Sequence, residues 1–161
     1  MDLNDTPQQA EFRQRVRSWL QEHKAQAPEA RSTRAGAEDD AYVDARRRWQ
    51  GQLAEGGLAG VTWPVDVGGQ GQGPIEQVIV SQEIGRAGVP GILDVIGIGM
   101  LGPTIIAHGT EEQKGRYLGP MLHGDEVWCQ LFSEPAAGSD LAAVQTRARL
   151  EDDGTWVLNG Q

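Results

Sequence analysis

The hydrophobic period of the chain changes at Gly124-Asp125, and that change limits what it can fold into. Upstream, apolar residues recur at helical spacing; downstream they alternate. Thr6-Pro7-Gln8-Gln9 supplies an N-cap, a proline for the first helical position and the glutamine of a capping box. Phe12, Val16, Trp19, Leu20 and His23 then share one helical face, with Arg13, Arg15 and Arg17 off it. A second helix is predicted over residues 42–53, with Tyr42, Ala45, Trp49 and Leu53 inward, Arg46, Arg47 and Arg48 solvated, and Gly56-Gly57 as its stop. A third is predicted over residues 75–86, with Ile75, Val78, Ile79 and Gln82 on its stripe. A glycine-rich helical stretch over 92–100 and a short helix over 103–108 follow. Thr110-Glu111-Glu112-Gln113 is a second capping box and opens a helix to about Met121.

Past Gly124, Trp128, Gln130 and Phe132 face one way and Val127, Cys129 and Leu131 the other, which predicts a strand over residues 126–133. Residues 146–150 and 156–158 are two more strand candidates, joined by a turn at Asp152-Asp153-Gly154. The expected class is therefore α+β, with an all-α domain over residues 1–124 and strands over 125–161. Residues 25–40 carry Pro28 and no apolar stripe, and read as a mobile surface connection.

A length of 161 residues suffices for one domain with a real core. No apolar run approaches the length of a membrane span, and the acidic, polar N-terminus argues against a secretory signal. The formal charge of −9 disfavours nonspecific nucleic-acid binding. The one cysteine, Cys129, cannot form an internal disulfide, as suits a reducing cytoplasm. The 22 glycines are about twice the usual share and crowd the middle of the chain, which points to loops or close backbone packing there.

The chemistry concentrates in Gln130-Leu131-Phe132-Ser133-Glu134-Pro135-Ala136-Ala137-Gly138-Ser139-Asp140. A β-prone run ends in Glu-Pro, a small-residue turn follows, and Gly-Ser-Asp offers a helix start. Strand, compact loop and N-cap together can hold a flat cofactor and its phosphates. Other motifs flank it in order: Trp63-Pro64 with Gly68-Gly69-Gln70-Gly71, Gly109-Thr110 with Gln113-Lys114, Thr146-Arg147-Ala148, and Leu158-Asn159-Gly160. The glycines of residues 68–73 do not sit between a strand and a helix of a βαβ unit, so they make a poor dinucleotide fingerprint.

Taken together, these motifs resemble the acyl-CoA dehydrogenase family from about Pro7 to the last residue. The resemblance implies an α-helical N-terminal domain, a β-barrel domain of which residues 125–161 are the first strands, and a helical bundle downstream. It implies FAD as cofactor, an acyl-CoA thioester as substrate, and electron-transferring flavoprotein as the usual acceptor. Gln130, Phe132 and Ser133 match positions that line the flavin ring, and Gly138 and Ser139 match the turn beside the cofactor and the CoA phosphates. Ser139 also matches a substrate contact, and Met100 and Leu101 fall where the family lines its acyl pocket, although plain core packing accounts for them equally well. The family's catalytic base, a glutamate, is expected beyond residue 161, as are the remaining barrel strands, so this chain alone is expected to hold FAD weakly and to be inactive. A homo- or hetero-oligomer of homologous chains is expected, in the cytoplasm. Two alternatives share the same front half: a flavin monooxygenase or oxidase of this fold, and a noncatalytic subunit that only binds a partner chain. The sequence departs from the family signature at Ala136, where glycine is common, and at Ser133, where threonine is common.

Other residues read more plainly. Glu134 is expected to be a hydrogen-bonding element of the turn rather than a base. His108 complements a helix C-terminus, His23 and His123 show no partner spacing, and no metal site is expected. Cys129 is expected on the inner face of its strand, and the five tryptophans in core or interface.

Overall fold

Thr6 caps α1 (Pro7–His23) as its sequence predicts: its hydroxyl accepts from the Gln9 N–H, and the Gln9 side chain accepts from the Thr6 N–H. Thr110 and Gln113 repeat the arrangement on α5 (Glu111–His123). Between them lie α2 (Asp40–Glu55), α3 (Pro74–Ala87), a π-helical turn at Gly97–Leu101, and α4 (Gly102–His108). Two short strands, β1 (Arg147–Leu150) and β2 (Trp156–Asn159), come last and pair antiparallel across a turn at residues 152–154. The computed structural model describes residues 4–30 and 39–161; half of the surface connection expected over 25–40, residues 31–38, lies outside them. The chain divides into two compact units, Met1–Trp128 and Cys129–Gln161. Helices followed by strands is the expected α+β order.

In the first unit α1 packs on α3 and α2 packs on α5. The apolar stripes meet in one cluster: Val16 and Leu20 from α1, Trp49 and Leu53 from α2, Val80 from α3, and Leu118, Met121 and Leu122 from α5. The Trp-Pro loop adds Val61 and Trp63. Each such side chain contributes about 1.5–3 kcal/mol by leaving water.

Several inward assignments differ from the sequence reading. On α3, Ile75 and Val78 are exposed, Gln82 is exposed, and Glu83 is buried instead. Glu83 accepts from Arg17 and Arg13 of α1, which hold its carboxyl below the usual carboxylate range. The α1–α3 contact is thus partly ionic: Arg13 and Arg17, off the apolar stripe, face a neighbouring helix, whereas Arg15 stays exposed and pairs with Glu11 of its own helix. Arg46, expected to be solvated, is buried. The glycine-rich segment is irregular before the π-helical turn, where a regular helix was expected.

That irregular segment explains Arg46. Its backbone is deep enough to need protein partners, and α2 supplies them from one face. Arg46 donates to the Gly91 and Ile92 carbonyls, and the Trp49 indole donates to the Pro90 carbonyl at 2.6 Å. The Gln50 carbonyl oxygen accepts from the Leu93 and Asp94 N–H groups at 2.8 and 2.9 Å, while its amide donates to the Met121 carbonyl of α5 at 2.8 Å. Positions 46, 49 and 50 lie on one helical face.

The strand predicted over residues 126–133 does not form: the backbone there belongs to no ladder. Alternation specifies which face a side chain takes, but a strand exists only when another backbone pairs with it. Cys129, expected to pack inward, is exposed for the same reason.

Gln50→Leu keeps the volume of the side chain and strands the Leu93 and Asp94 N–H groups and the Met121 carbonyl. Urea unfolding should show a loss of about 1–3 kcal/mol, the cost of an unpaired buried polar group. An unchanged midpoint would contradict the bracing role.

Candidate functional site

The flavin-signature residues gather in the second unit around one small turn. Glu134 and Ala137 exchange two backbone hydrogen bonds, Glu134 N–H to the Ala137 carbonyl at 2.9 Å and Ala137 N–H to the Glu134 carbonyl at 3.1 Å. Pro135 sits second in this four-residue turn, where its fixed φ is already suitable. No described non-glycine residue has a positive φ, so Ala136 fits where the family commonly has glycine.

Glu134 does structural work with its side chain as well. Its two carboxylate oxygens accept from the Gln145 N–H at 2.8 Å and the Thr146 N–H at 2.7 Å. Hydrogen bonding from the Thr146 side chain, and then from these two amides, holds the Glu134 carboxyl below the usual carboxylate range. The signature turn is thereby tied to the residues that lead into β1. Gly160, just past β2, lies against the same threonine: a Cβ there would strike the Thr146 Oγ1. The Thr-x-Ala and Leu-Asn-Gly motifs are therefore parts of one arrangement with Glu134. A groove of about 330 Å³ lies among Glu134, Ala136, Thr146 and Gly160.

Gln130, Phe132, Ser133, Gly138 and Ser139 are all exposed along this segment. Phe132 is 72% exposed, and nothing lies within 4 Å of the Cβ position at Gly138. Among the described residues the N–H groups of Gly138 and Ser139 donate to no protein acceptor. An open aromatic face, two hydroxyls and unpaired N–H donors are a chemical match for one side of a flavin and its phosphates. Asp140 opens only a three-residue 3-10 turn, Leu141–Ala143, and its side chain caps nothing. The helix N-terminus expected there for anion binding is absent, because the chain turns away after a single turn.

Met100 and Leu101 lie in the first unit, on the π-helical turn. Met100 is 48% exposed, whereas Leu101 packs partly against the core. Two of the three histidines make local contacts: His23 stacks on Trp19 at 4.2 Å and its Nδ1 bonds the Trp19 carbonyl, and the His123 Nδ1 bonds the Gly119 carbonyl; His108 sits in the last turn of α4. The bracing roles of Gln145, Thr146 and Gly160 were not assigned from sequence, although the last two sit in motifs visible there.

A family model described as acyl-CoA dehydrogenase, N-terminal domain, matches residues 6–125. The chain belongs to the acyl-CoA dehydrogenase family. It is 42% identical over 153 residues to the acyl-CoA dehydrogenase IpdE1 of Mycobacterium tuberculosis, an alignment that covers 94% of this chain and 39% of that protein. Among solved structures it is similar to the ChsE4–ChsE5 complex from Mycobacterium tuberculosis, with a TM-score of 0.75 and 34% identity over 99% of this chain and 39% of that one. It is also similar to the Tcur3481–Tcur3483 steroid ACAD, with a TM-score of 0.74 and 34% identity over 99% of this chain and 40% of that one. This acyl-CoA dehydrogenase family chain thus spans about 39% of the length of the relative with which it shares 42% identity.

In Glu134→Ala the Gln145 and Thr146 amides lose their acceptors. Their hydrogen exchange, corrected for intrinsic rates, should accelerate while amides of α2 and α5 stay protected. The wild-type brace follows pH in a defined direction. A carboxyl whose pKa is lowered on folding stabilises the fold above its unfolded pKa, and that contribution disappears as pH falls through the lower, folded value. Protection at residues 145 and 146 that stays constant through the acid range would contradict the carboxylate brace.

Proposed function

We propose that this chain contributes the front part of an FAD-dependent acyl-CoA dehydrogenase, which oxidises an acyl-CoA thioester to the 2,3-enoyl-CoA. In this reading residues 1–124 form the helical domain and residues 125–161 open the barrel domain that carries the flavin signature. The observation that carries the reading is the signature turn itself. It is closed by two backbone bonds, braced by Glu134, and leaves Phe132, Ser133, Gly138 and Ser139 open to a ligand.

The residues divide the work by their chemistry. Phe132 gives an apolar face for the ring system, and Gln130 and Ser133 give hydrogen-bonding groups for its polar edge. Gly138 and Ser139 offer N–H groups to phosphate oxygens, and the Ser139 hydroxyl serves the acyl-CoA as well. Met100 and Leu101 line the acyl chain. When bound, the flavin supplies the hydride acceptor for the acyl β-carbon, and the α-proton goes to a carboxylate that this reading places beyond residue 161. Rate enhancement then rests on position and on hydrogen bonds to the thioester carbonyl. Electrons leave for an electron-transferring flavoprotein, and the enzyme works in the cytoplasm.

Likeness to the ChsE4–ChsE5 complex and to the Tcur3481–Tcur3483 steroid ACAD supports two finer points. The partner is a second, homologous chain, and the acyl group is bulky, of the steroid type. Nothing in the site favours the oxidase or noncatalytic alternative over this reading.

The complete enzyme should bleach its flavin on anaerobic addition of a bulky acyl-CoA and yield the 2,3-enoyl product. An acyl-CoA panel that leaves the flavin oxidised, with oxygen-dependent product instead, would replace dehydrogenation by oxidase or monooxygenase chemistry. Within that enzyme Ser133→Ala should weaken flavin retention by about two- to tenfold, the worth of one hydrogen bond of about 0.5–1.5 kcal/mol. Ser139→Ala should raise the acyl-CoA KM or loosen FAD. Parental flavin retention, spectrum and kinetics in both variants would remove these serines from the site.

A further inference from the structure

The π-helical turn at Gly97–Leu101 is built, and its builders can be named. Such turns are uncommon and need a cause. Here it is Pro103, which bars a regular helical turn before it: it has no N–H for the Gly99 carbonyl, and its ring collides with that carbonyl. The same missing N–H denies the Ile98 carbonyl a donor five residues on. The Gly102 N–H bonds instead to the Gly97 carbonyl, closing the wide turn. The Ile98 carbonyl is left without that donor, and the buried indole N–H of Trp63 bonds it at 3.1 Å. Trp63 also sets the far end of the turn, since its ring lies where a Cβ at Gly102 would be.

Asp94 holds the near end. It is 1% exposed, and its Oδ1 accepts from the Gly97 N–H at 2.8 Å and from the Trp128 N–H at 3.2 Å. Its Oδ2 is buried without a partner and packs where a Cβ at Gly97 would be. Burial raises its pKa, against the pull of those two amides. One more bond, from the Thr104 hydroxyl to the Met100 carbonyl at 2.9 Å, fixes the exit. Gln50 fixes the Asp94 backbone from α2. The turn that carries Met100 and Leu101 is therefore gripped at both ends by side chains that themselves stay in the core.

We propose that Trp63 and Asp94 are positioning residues for the acyl group: by clamping the π-helical turn they set where Met100 and Leu101 meet it, and so help to determine which acyl-CoA thioesters are accepted. The inference rests on the dehydrogenase reading and on the placement of Met100 and Leu101 in the acyl site. Neither clamp residue touches the substrate. Their effect is on the shape of the pocket wall, so it depends on the size of the acyl group rather than on the CoA moiety common to all substrates.

The test uses the complete holoenzyme and two measurements: KM and kcat over short, long and steroid-type acyl-CoAs, and calorimetric binding of matching non-oxidisable acyl-CoA thioethers. Trp63→Phe keeps the ring against Gly102 and removes only the N–H. Pro103→Ala restores a backbone N–H and removes the ring that bars regular pairing with the Gly99 carbonyl, so the turn can tighten. Asp94→Ala frees the Gly97 and Trp128 amides, while Asp94→Asn keeps an acceptor for both and should behave as the parent. Trp63→Phe, Pro103→Ala and Asp94→Ala should change the ratio of bulky to short acyl-CoA KM and Kd on the order of tenfold, with full flavin content and a smaller change in kcat. If Asp94→Ala does not fold, the other two decide. An equal effect on every acyl-CoA, or none, in folded and flavin-loaded Trp63→Phe and Pro103→Ala would overturn the inference while leaving the dehydrogenase reading intact. A parent enzyme that binds no thioether of the panel would instead overturn that reading.

Discussion

The fold of the helical unit depends on how a buried, irregular backbone segment is satisfied. Residues 90–93 run buried or half-buried without helical or sheet partners, and their polar groups would otherwise carry a desolvation cost. Arg46, Trp49 and Gln50 remove it from a single face of α2. Gln50 does so in both directions, since its amide also reaches the α5 carbonyls at Met121 and Leu122. The hydrophobic cluster gives most of the stabilisation, but it is not directional. These hydrogen bonds supply the direction: they fix where the chain passes along α2, and hence where the π-helical turn begins.

Two anchored segments extend from that brace. One is the turn at Gly97–Leu101, held by Asp94 and Trp63. The other is the chain leaving α5. The Arg47 guanidinium donates to the Gly124 carbonyl at 2.8 Å and also to the Asp125 carbonyl, and Arg116 pairs with Glu126 at 2.7 Å. Trp128 meets the Tyr117 ring edge-on with centroids 5.4 Å apart, and its N–H bonds Asp94. Asp94 therefore serves both segments with one oxygen. The second unit uses the same economy at Glu134, whose carboxylate joins a turn to the entry of a strand. In both places the oxygens of one carboxyl group order backbone amides.

Much of the organisation was legible in the sequence. Capping boxes at Thr6 and Thr110 located two helix starts because the cap is a local interaction, complete within four residues. The turn at residues 152–154 and the flanking strands were legible for the same reason. The signature Ser133-Glu134-Pro135 through Asp140 was legible as a candidate site because its residue types and order are specific. The burial of Arg46 and Glu83 was not. A charged side chain on a helix face is normally solvated, and what reverses this is a partner far along the chain: the Gly91 and Ile92 carbonyls for Arg46, and Arg13 and Arg17 for Glu83. The strand read from alternation at residues 126–133 failed on the same principle, since periodicity is local and pairing is not.

The sequence by itself determined the order of helices and strands, the caps that start them, and the family to which the motifs belong. Those properties follow from neighbours a few residues apart. Only the tertiary structure decided that Glu134 braces the entry to β1, that Gly160 must leave room for Thr146, and that Trp63 bonds the Ile98 carbonyl. Each joins residues 12 to 35 positions apart, beyond the reach of any local sequence pattern. Pro103 stands between the two levels: the missing N–H can be read from the sequence, but the indole that answers it is fixed only by packing.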